Sequence, residues 1–166
     1  MSELLVMRHA KSSWDADGED DHARPLAPRG LKAARLMGRF LTDADRVPAL
    51  SVCSTAVRAR RTLELAAETG GWELEVRLEP RLYLTDATTV LSVLAELDGA
   101  PDRVLLVGHE PWCSELVSLL TGGGRVRFPT GAVALIDLGD RGWTAIERGS
   151  GELKWLLTPK LLSEVL

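Results

Sequence analysis

Short apolar runs alternating with stretches of helical period constrain this chain more than any other feature. Leu4 to Met7, Leu50 to Cys53 and Arg103 to Val107 are brief, largely apolar runs with the length of buried strands, and the last is the clearest of the three. After Pro28-Arg29-Gly30, the residues Ala33, Leu36, Met37, Phe40 and Leu41 recur at i, i+3, i+4, i+7 and i+8, which predicts a helix with one apolar face. Ala56, Ala59, Leu63, Ala66 and Ala67 repeat that pattern behind two candidate caps, Ser54 and Thr55, and Gly70-Gly71 closes it. Trp72 to Leu78 alternates as a strand does. Asp86 to Leu97 predicts a third helix, and Trp112, Leu116, Leu119 and Leu120 mark a fourth that ends at Gly122-Gly123-Gly124. Ala132 to Leu138, Trp143 to Glu147 and Leu153 to Leu157 read as strands. Such alternation predicts an α/β sandwich with a mostly parallel sheet, to which the last strands add an antiparallel edge.

Composition narrows the classes. The 166 residues are expected to form a single domain, 1–166, large enough to bury a core without disulfides or metals. A net charge of −4 gives no general attraction for nucleic acid or an anionic membrane surface, so neither is expected as a partner. Cys53 and Cys113 each sit in an apolar stretch and read as reduced core thiols. The start, MSELLVMRH, lacks the pattern of a signal peptide, and no apolar run is long enough to span a bilayer, so the cytoplasm is the expected location. There is no internal repeat, low-complexity segment or linker.

In open α/β sheets, ligands bind at the carboxyl ends of the strands. Three predicted strands end there in chemistry-bearing residues: Arg8-His9, Ser54-Thr55-Ala56-Val57-Arg58 and Gly108-His109. Two of the chain's three histidines thus lie just past an apolar strand. Arginine forks bind phosphoryl oxygens in pairs. A neutral imidazole can attack phosphorus, and a second can stabilise the charge that builds on the equatorial oxygens. The helix starting near Thr55 would aim free N–H groups at the same anion.

The motifs R-H-A-K-S-S-W (8–14), R-P-L-A-P-R-G (24–30), S-T-A-V-R-A-R-R-T (54–62), L-L-V-G-H-E-P (105–111) and F-P-T-G-A (128–132) run in order over nearly the whole chain. Together they resemble the histidine phosphatase superfamily, the phosphoglycerate mutase-like group, and within it the small SixA-type phosphohistidine phosphatases. The resemblance implies a three-layer α/β/α sandwich and a phosphatase that works through a phosphohistidine enzyme intermediate without a cofactor or metal. By its motifs His9 is the expected nucleophile, Arg8 and Arg58 the expected phosphate-binding arginines, and His109 the second pocket histidine. All four are expected to be catalytic, and Arg8, Arg58 and His109 to bind substrate as well. The expected partner is a protein carrying phosphohistidine, or a small phosphorylated molecule.

Several positions depart from the family pattern. Ala10 stands where many members have Gly, Lys11 where the mutases have Glu, Thr55-Ala56 where Ser-Pro is frequent, and Glu110 where Asn is frequent. Arg61 replaces a common Gln and is expected to add charge near the rim, whereas Arg60 is expected to be solvated. Leu84 stands where larger members carry a proton-donating Glu. An alkoxide leaving group needs such a donor, and losing it costs about 10²–10⁴-fold. Imidazole, with a conjugate-acid pKa of about 6.5, leaves without one. The helical insert that caps the site in larger members is also missing, and an open site can admit a protein surface as well as a small molecule.

Glu79 and the acidic run Asp15 to Asp21 remain candidate proton donors. The run lacks the glycine and glutamate spacing of a calcium loop. Three further readings stay open. One is a general small-molecule phosphomonoesterase of the same superfamily. Another is a metallohydrolase using His9, His109 and loop aspartates, against which the adjacent arginines argue by repelling a cation. The third is a phosphate-binding module without turnover, which gives no reason for the paired histidines. Trp14, Trp112 and Tyr83 are candidates to line the site, with packing in the core or at the rim the preferred assignment for each.

Overall fold

The computed structural model of the chain describes residues 1–14 and 20–166. Six strands form one mixed sheet: β1 (Glu3–Arg8), β2 (Leu50–Cys53), β3 (Glu75–Leu78), β4 (Arg103–Gly108), β5 (Val133–Asp137) and β6 (Glu152–Leu157), in the order β3-β2-β4-β1-β5-β6. β3, β2, β4 and β1 run parallel, while β5 is antiparallel to β1 and β6 to β5. The five helices are α1 (Pro28–Asp43), α2 (Val57–Gly70), α3 (Ala87–Ala95), α4 (Trp112–Leu120) and α5 (Pro159–Val165).

Period-2 alternation of the central strands divides the core into two layers. Leu4 and Val6 of β1, with Val104 and Leu106 of β4, face Val90 and Leu94 of α3 and Leu116 of α4. Leu5 and Met7, with Leu105 and Val107, face Met37 and Leu41 of α1, Ala59 and Leu63 of α2 and Leu162 of α5. The result is the expected three-layer α/β/α sandwich. Burying both faces of β1 and β4 explains why their sequences are continuously apolar, each such side chain contributing about 1.5–3 kcal/mol. α1 and α2 approach so closely that a Cβ on Gly38 would lie 2.2 Å from the Ala66 carbonyl oxygen, which is why glycine stands there.

Three expectations need correction. Trp143–Ala145 is a turn of 3₁₀ helix rather than a strand. Trp143 and Ile146, three positions apart, tuck into the core while Thr144 and Ala145 stay exposed, and the Trp143 indole N–H donates to the Pro101 carbonyl. β3 is shorter than Trp72 to Leu78 and is exposed along its length. Trp72 lies outside it, buried and hydrogen-bonded to Thr42 of α1. Neither Ser54 nor Thr55 caps α2, whose N-cap is Ala56. α5, unanticipated, is a short helix capped by Thr158. Cys53 and Cys113 are buried free thiols, as expected, and burial pushes the Cys53 thiol up to about 12. Among the described residues no helix is long and apolar enough to cross a membrane.

The topology decides where a ligand can enter. β1 and β4 are neighbours, yet the chain leaves β1 for α1 on one face and leaves β4 for α4 on the other. Such a switch point opens a crevice beyond the carboxyl ends of the two strands.

Candidate active site

Strand register brings the expected residues to that crevice. Met7, Val107 and Cys53 pair across β1, β4 and β2, so Arg8, Gly108 and Ser54 form the next row and the two histidines follow. The backbone continues the ladder beyond the strands: His9 N–H donates to the Gly108 carbonyl at 2.9 Å and Ser54 N–H to the Val107 carbonyl at 3.0 Å. Gly131, at a positive φ of 76° that favours glycine, turns its N–H onto the Arg8 and His9 carbonyls at 3.1 and 3.0 Å.

His9 and His109 are both buried, with ring centroids 5.2 Å apart. Nδ1–H of His9 donates to the Ala10 carbonyl at 2.7 Å, which leaves Nε2 as the nitrogen with a free lone pair. Nε2 of His109 lies 2.7 Å from the Ser54 hydroxyl. That hydroxyl also accepts the Ala56 N–H at 3.3 Å, so its proton is free to go to the imidazole. Nδ1 of His109 is then a buried donor without a partner among the described residues, as are Nε of Arg8 and Nε of Arg58. Unpaired buried donors of this kind are costly and mark a place built for an acceptor.

Arg8 donates through Nη1 to the Phe128 carbonyl at 3.0 Å. Arg58, on the first turn of α2, is buried and clasped by Asp21: Nη1 meets its carbonyl at 2.6 Å and Nη2 its carboxylate at 3.0 Å. The Tyr83 hydroxyl donates to the same carboxylate at 2.6 Å, and Arg24 pairs with its other oxygen at 3.2 Å. Those bonds, Tyr83 first, hold the Asp21 carboxyl down at about 2. Tyr83 also lies edge-on to His109 with centroids 5.5 Å apart, and it lines a cleft of ≈ 310 Å³ with Arg58, Leu84, His109, Glu110 and Trp112.

The other sequence candidates fall outside this cluster. Glu79 is tied to the Arg81 backbone and guanidinium, which lowers its pKa and makes it a poor proton donor. Arg61 pairs with Glu64 on the exposed side of α2 instead of adding charge to the rim. Arg60 donates to the Thr55 carbonyl. Glu110 turns its carboxylate onto the Ser114 N–H and hydroxyl at 2.7 and 2.8 Å, at the start of α4. Of the acidic run, Asp20 and Asp21 are placed, whereas 15–19 lie outside the described residues. Trp14 is exposed, with Arg24 stacked 3.6 Å over its ring.

Two contacts escaped sequence reasoning. Ser54 orients His109. Thr62 accepts the Ala10 N–H at 3.0 Å and donates to the Arg58 carbonyl at 2.7 Å, coupling α2 to the turn after His9. Tyr83 and Trp112, candidates to line the site, do stand in the wall of the cleft. The T-L at 62–63 and S-T at 54–55 carry a signal only once the register is known.

A model of the histidine phosphatase superfamily (branch 1) matches residues 4–83. An uncharacterised protein of Mycobacterium leprae is 38% identical over 93% of this chain and all of its own length. The chain belongs to the histidine phosphatase superfamily. Phosphohistidine phosphatase SixA of Escherichia coli is 28% identical over 95% of this chain and 94% of its own length. A solved structure of the protein histidine phosphatase SixA complexed with tungstate superposes with a TM-score of 0.83, at 27% identity over 96% of this chain and 99% of that one. The sandwich is thus phosphoglycerate mutase-like, and a phosphoryl hydrolase is the supported activity class.

Burial makes both superfamily histidines weak bases. Desolvation pushes His9 down to about 3 and His109 to about 4, and nearby Arg58 and Arg8 add to the effect on each. Both are therefore neutral near pH 7. In the unfolded chain each imidazole takes up a proton as pH falls through about 6.5. The unfolded state binds more protons between that pH and the lowered values, so stability falls as pH falls through this window. The expected loss is roughly 2 kcal/mol per histidine between pH 7 and pH 5. Asp21, depressed to about 2, keeps its full stabilisation above its unfolded value and loses it only as pH falls below that, so it leaves this window alone. Urea titrations should show the slope, and His109→Asn should flatten it. An unchanged slope in that variant would contradict the assignment of buried neutral imidazoles.

Proposed function

We propose that this chain hydrolyses phosphohistidine on a protein, as SixA-type enzymes do, through a phosphoryl group carried transiently on His9. The observation that carries the chemistry is the fixed tautomer of His9: with Nδ1–H spent on Ala10, Nε2 presents its lone pair inside a pocket of unpaired donors. The incoming phosphoryl group takes the place of Asp21 on the Arg58 fork. Arg8, Arg58 and Nδ1–H of His109 then hold the three equatorial oxygens as charge redistributes. Nε2 attacks phosphorus in line while the bond from phosphorus to the substrate nitrogen breaks; the substrate imidazole, protonated on its other nitrogen, leaves neutral with the electron pair. Water later attacks phosphorus and breaks the bond to Nε2, its proton passes to the released phosphate, and His9 returns to its neutral form. Arginine charges around the histidines disfavour a metal cation there, and the reaction described needs none.

The protein-phosphohistidine assignment rests on leaving-group chemistry. Leu84 is 82% exposed and apolar, Glu79 is engaged by Arg81, and Asp21 is held ionised, so none of them donates a proton readily. Without a placed acid among the described residues, the barrier tracks the basicity of the leaving group. The expected order of kcat/KM is phosphohistidine, then aryl phosphates with acidic phenols, then phosphoserine and sugar phosphates. Aryl phosphates should show a steep dependence on phenol pKa, with oxyanion inhibition by vanadate or tungstate and no effect of EDTA. A flat dependence, with alkyl phosphates cleaved as fast as phosphohistidine, would instead make the protein a general phosphomonoesterase. Loss of activity to EDTA and its return with zinc would make it a metallohydrolase.

A further inference from the structure

A groove of ≈ 480 Å³ runs beside α1, larger than the cleft over His109. Lys11, Arg29, Lys32, Arg127 and Lys160 line it, and no acidic residue does. Among the described residues none of these five side chains has an ion pair or a hydrogen bond. Elsewhere Arg24, Arg58, Arg77, Arg81 and Arg103 are each matched with a carboxylate. Five unmatched cations in one concavity of a chain with net charge −4 make a strong local field of the opposite sign.

The groove and the phosphoryl pocket share a wall. Gly131 turns its N–H onto the Arg8 and His9 carbonyls, while a Cβ added to its other side would meet Pro159 at 2.8 Å and Ala33 at 3.7 Å, both groove residues. Lys11 lies two positions past His9, and Arg127 and Pro129 flank Phe128, whose carbonyl receives Arg8. An occupant of the groove therefore lies next to whatever fills the pocket.

The form of the groove selects the occupant. A compact phosphate needs donors converging on one point. Here Arg29, Lys32, Arg127 and Lys160 are exposed on long stems, spread along a floor made by Ala33, Leu36 and Pro159. Carboxylates spaced along a chain with apolar side chains between them match both features. We propose that this groove docks an acidic segment of the phosphorylated protein substrate, its carboxylates against Lys32, Arg127 and Lys160 and its apolar side chains over Leu36 and Pro159. The proposal rests on the phosphohistidine-protein reading for the identity of the occupant, and it adds where that protein is gripped. Docking charges outside the pocket give a protein substrate an affinity that a small phosphate ester cannot use.

The test is the double variant Lys32→Glu/Lys160→Glu, at two exposed positions away from the pocket. A short fluorescein-labelled peptide alternating glutamate and leucine is titrated with the intact protein by anisotropy, alongside a lysine–leucine control and inorganic tripolyphosphate. The glutamate peptide should bind the wild type in a salt-sensitive manner and the variant at least about tenfold more weakly. In parallel, KM for a phosphohistidine protein should rise by a similar factor, while kcat/KM for p-nitrophenyl phosphate stays unchanged. Equal peptide binding to both proteins, or binding to neither, overturns the proposal. Tripolyphosphate binding that the variant loses, without peptide binding, overturns it in favour of a small polyanion. Peptide binding lost in the variant, with no wild-type turnover of any phosphohistidine protein, upholds the acidic-peptide groove and overturns the catalytic reading instead.

Discussion

His9→Ala is expected to lower turnover by on the order of 10⁴–10⁶-fold, the scale of loss when a covalent nucleophile is removed. Among the described residues neither His109 nor Cys53 is placed to take over. His109 has its Nε2 engaged by Ser54, and the Cys53 thiol is pushed up to about 12 by burial, far from a thiolate at neutral pH. The fold should survive, because His9 sits past the end of β1 and the backbone bonds that fix it, from His9 N–H to Gly108 and from Gly131 to His9, do not involve the imidazole. Binding of vanadate should persist on the remaining arginines. Steady-state kinetics with an aryl phosphate, beside a thermal melt of the variant, measure both halves. A variant that melts like the wild type and still turns over at its rate would remove His9 from the mechanism.

Arg58→Ala should cost about 10²–10³-fold in kcat, the typical loss on removing one donor to a developing oxyanion. The guanidinium is buried, helps lower the His9 and His109 pKa values, and is proposed to hold the phosphoryl group. Its removal also strands Asp21, which keeps Tyr83 and Arg24 as partners, so the effect should fall on catalysis more than on folding. Arg58→Lys should recover only part of the loss, because an ammonium restores charge without the planar fork that Asp21 now fills. Full recovery by lysine would mean that charge alone matters there. An unaffected kcat with a raised KM would place Arg58 in ground-state binding only.

Much of this architecture is legible in the chain because burial on both faces leaves an uninterrupted apolar record, as in Leu4 to Met7 and Arg103 to Val107. The histidines could be found because each follows such a record directly. What is not legible depends on contacts distant in sequence. Tyr83 and Asp21 meet across 62 positions, and Ser54 and His109 across 55, with no local pattern to announce either. Ser54 looks like a helix cap because a hydroxyl before an apolar period is the usual sign of one, but the sheet claims it first. Trp143 to Glu147 reads as a strand because it is short and mixes apolar with polar residues, but burial falls on Trp143 and Ile146, three positions apart, which is the spacing of a 3₁₀ turn. α5 is too short to show a helical period.

The central claim is that the phosphoryl group passes through His9. Rapid quenching of the wild type with a radiolabelled phosphoryl donor, followed by peptide mapping, tests it most directly. The account predicts a label that is stable in alkali and labile in acid, appears no more slowly than turnover, and maps to the peptide containing His9. Label on His109, or product released while no protein-bound label forms at any time, would contradict it.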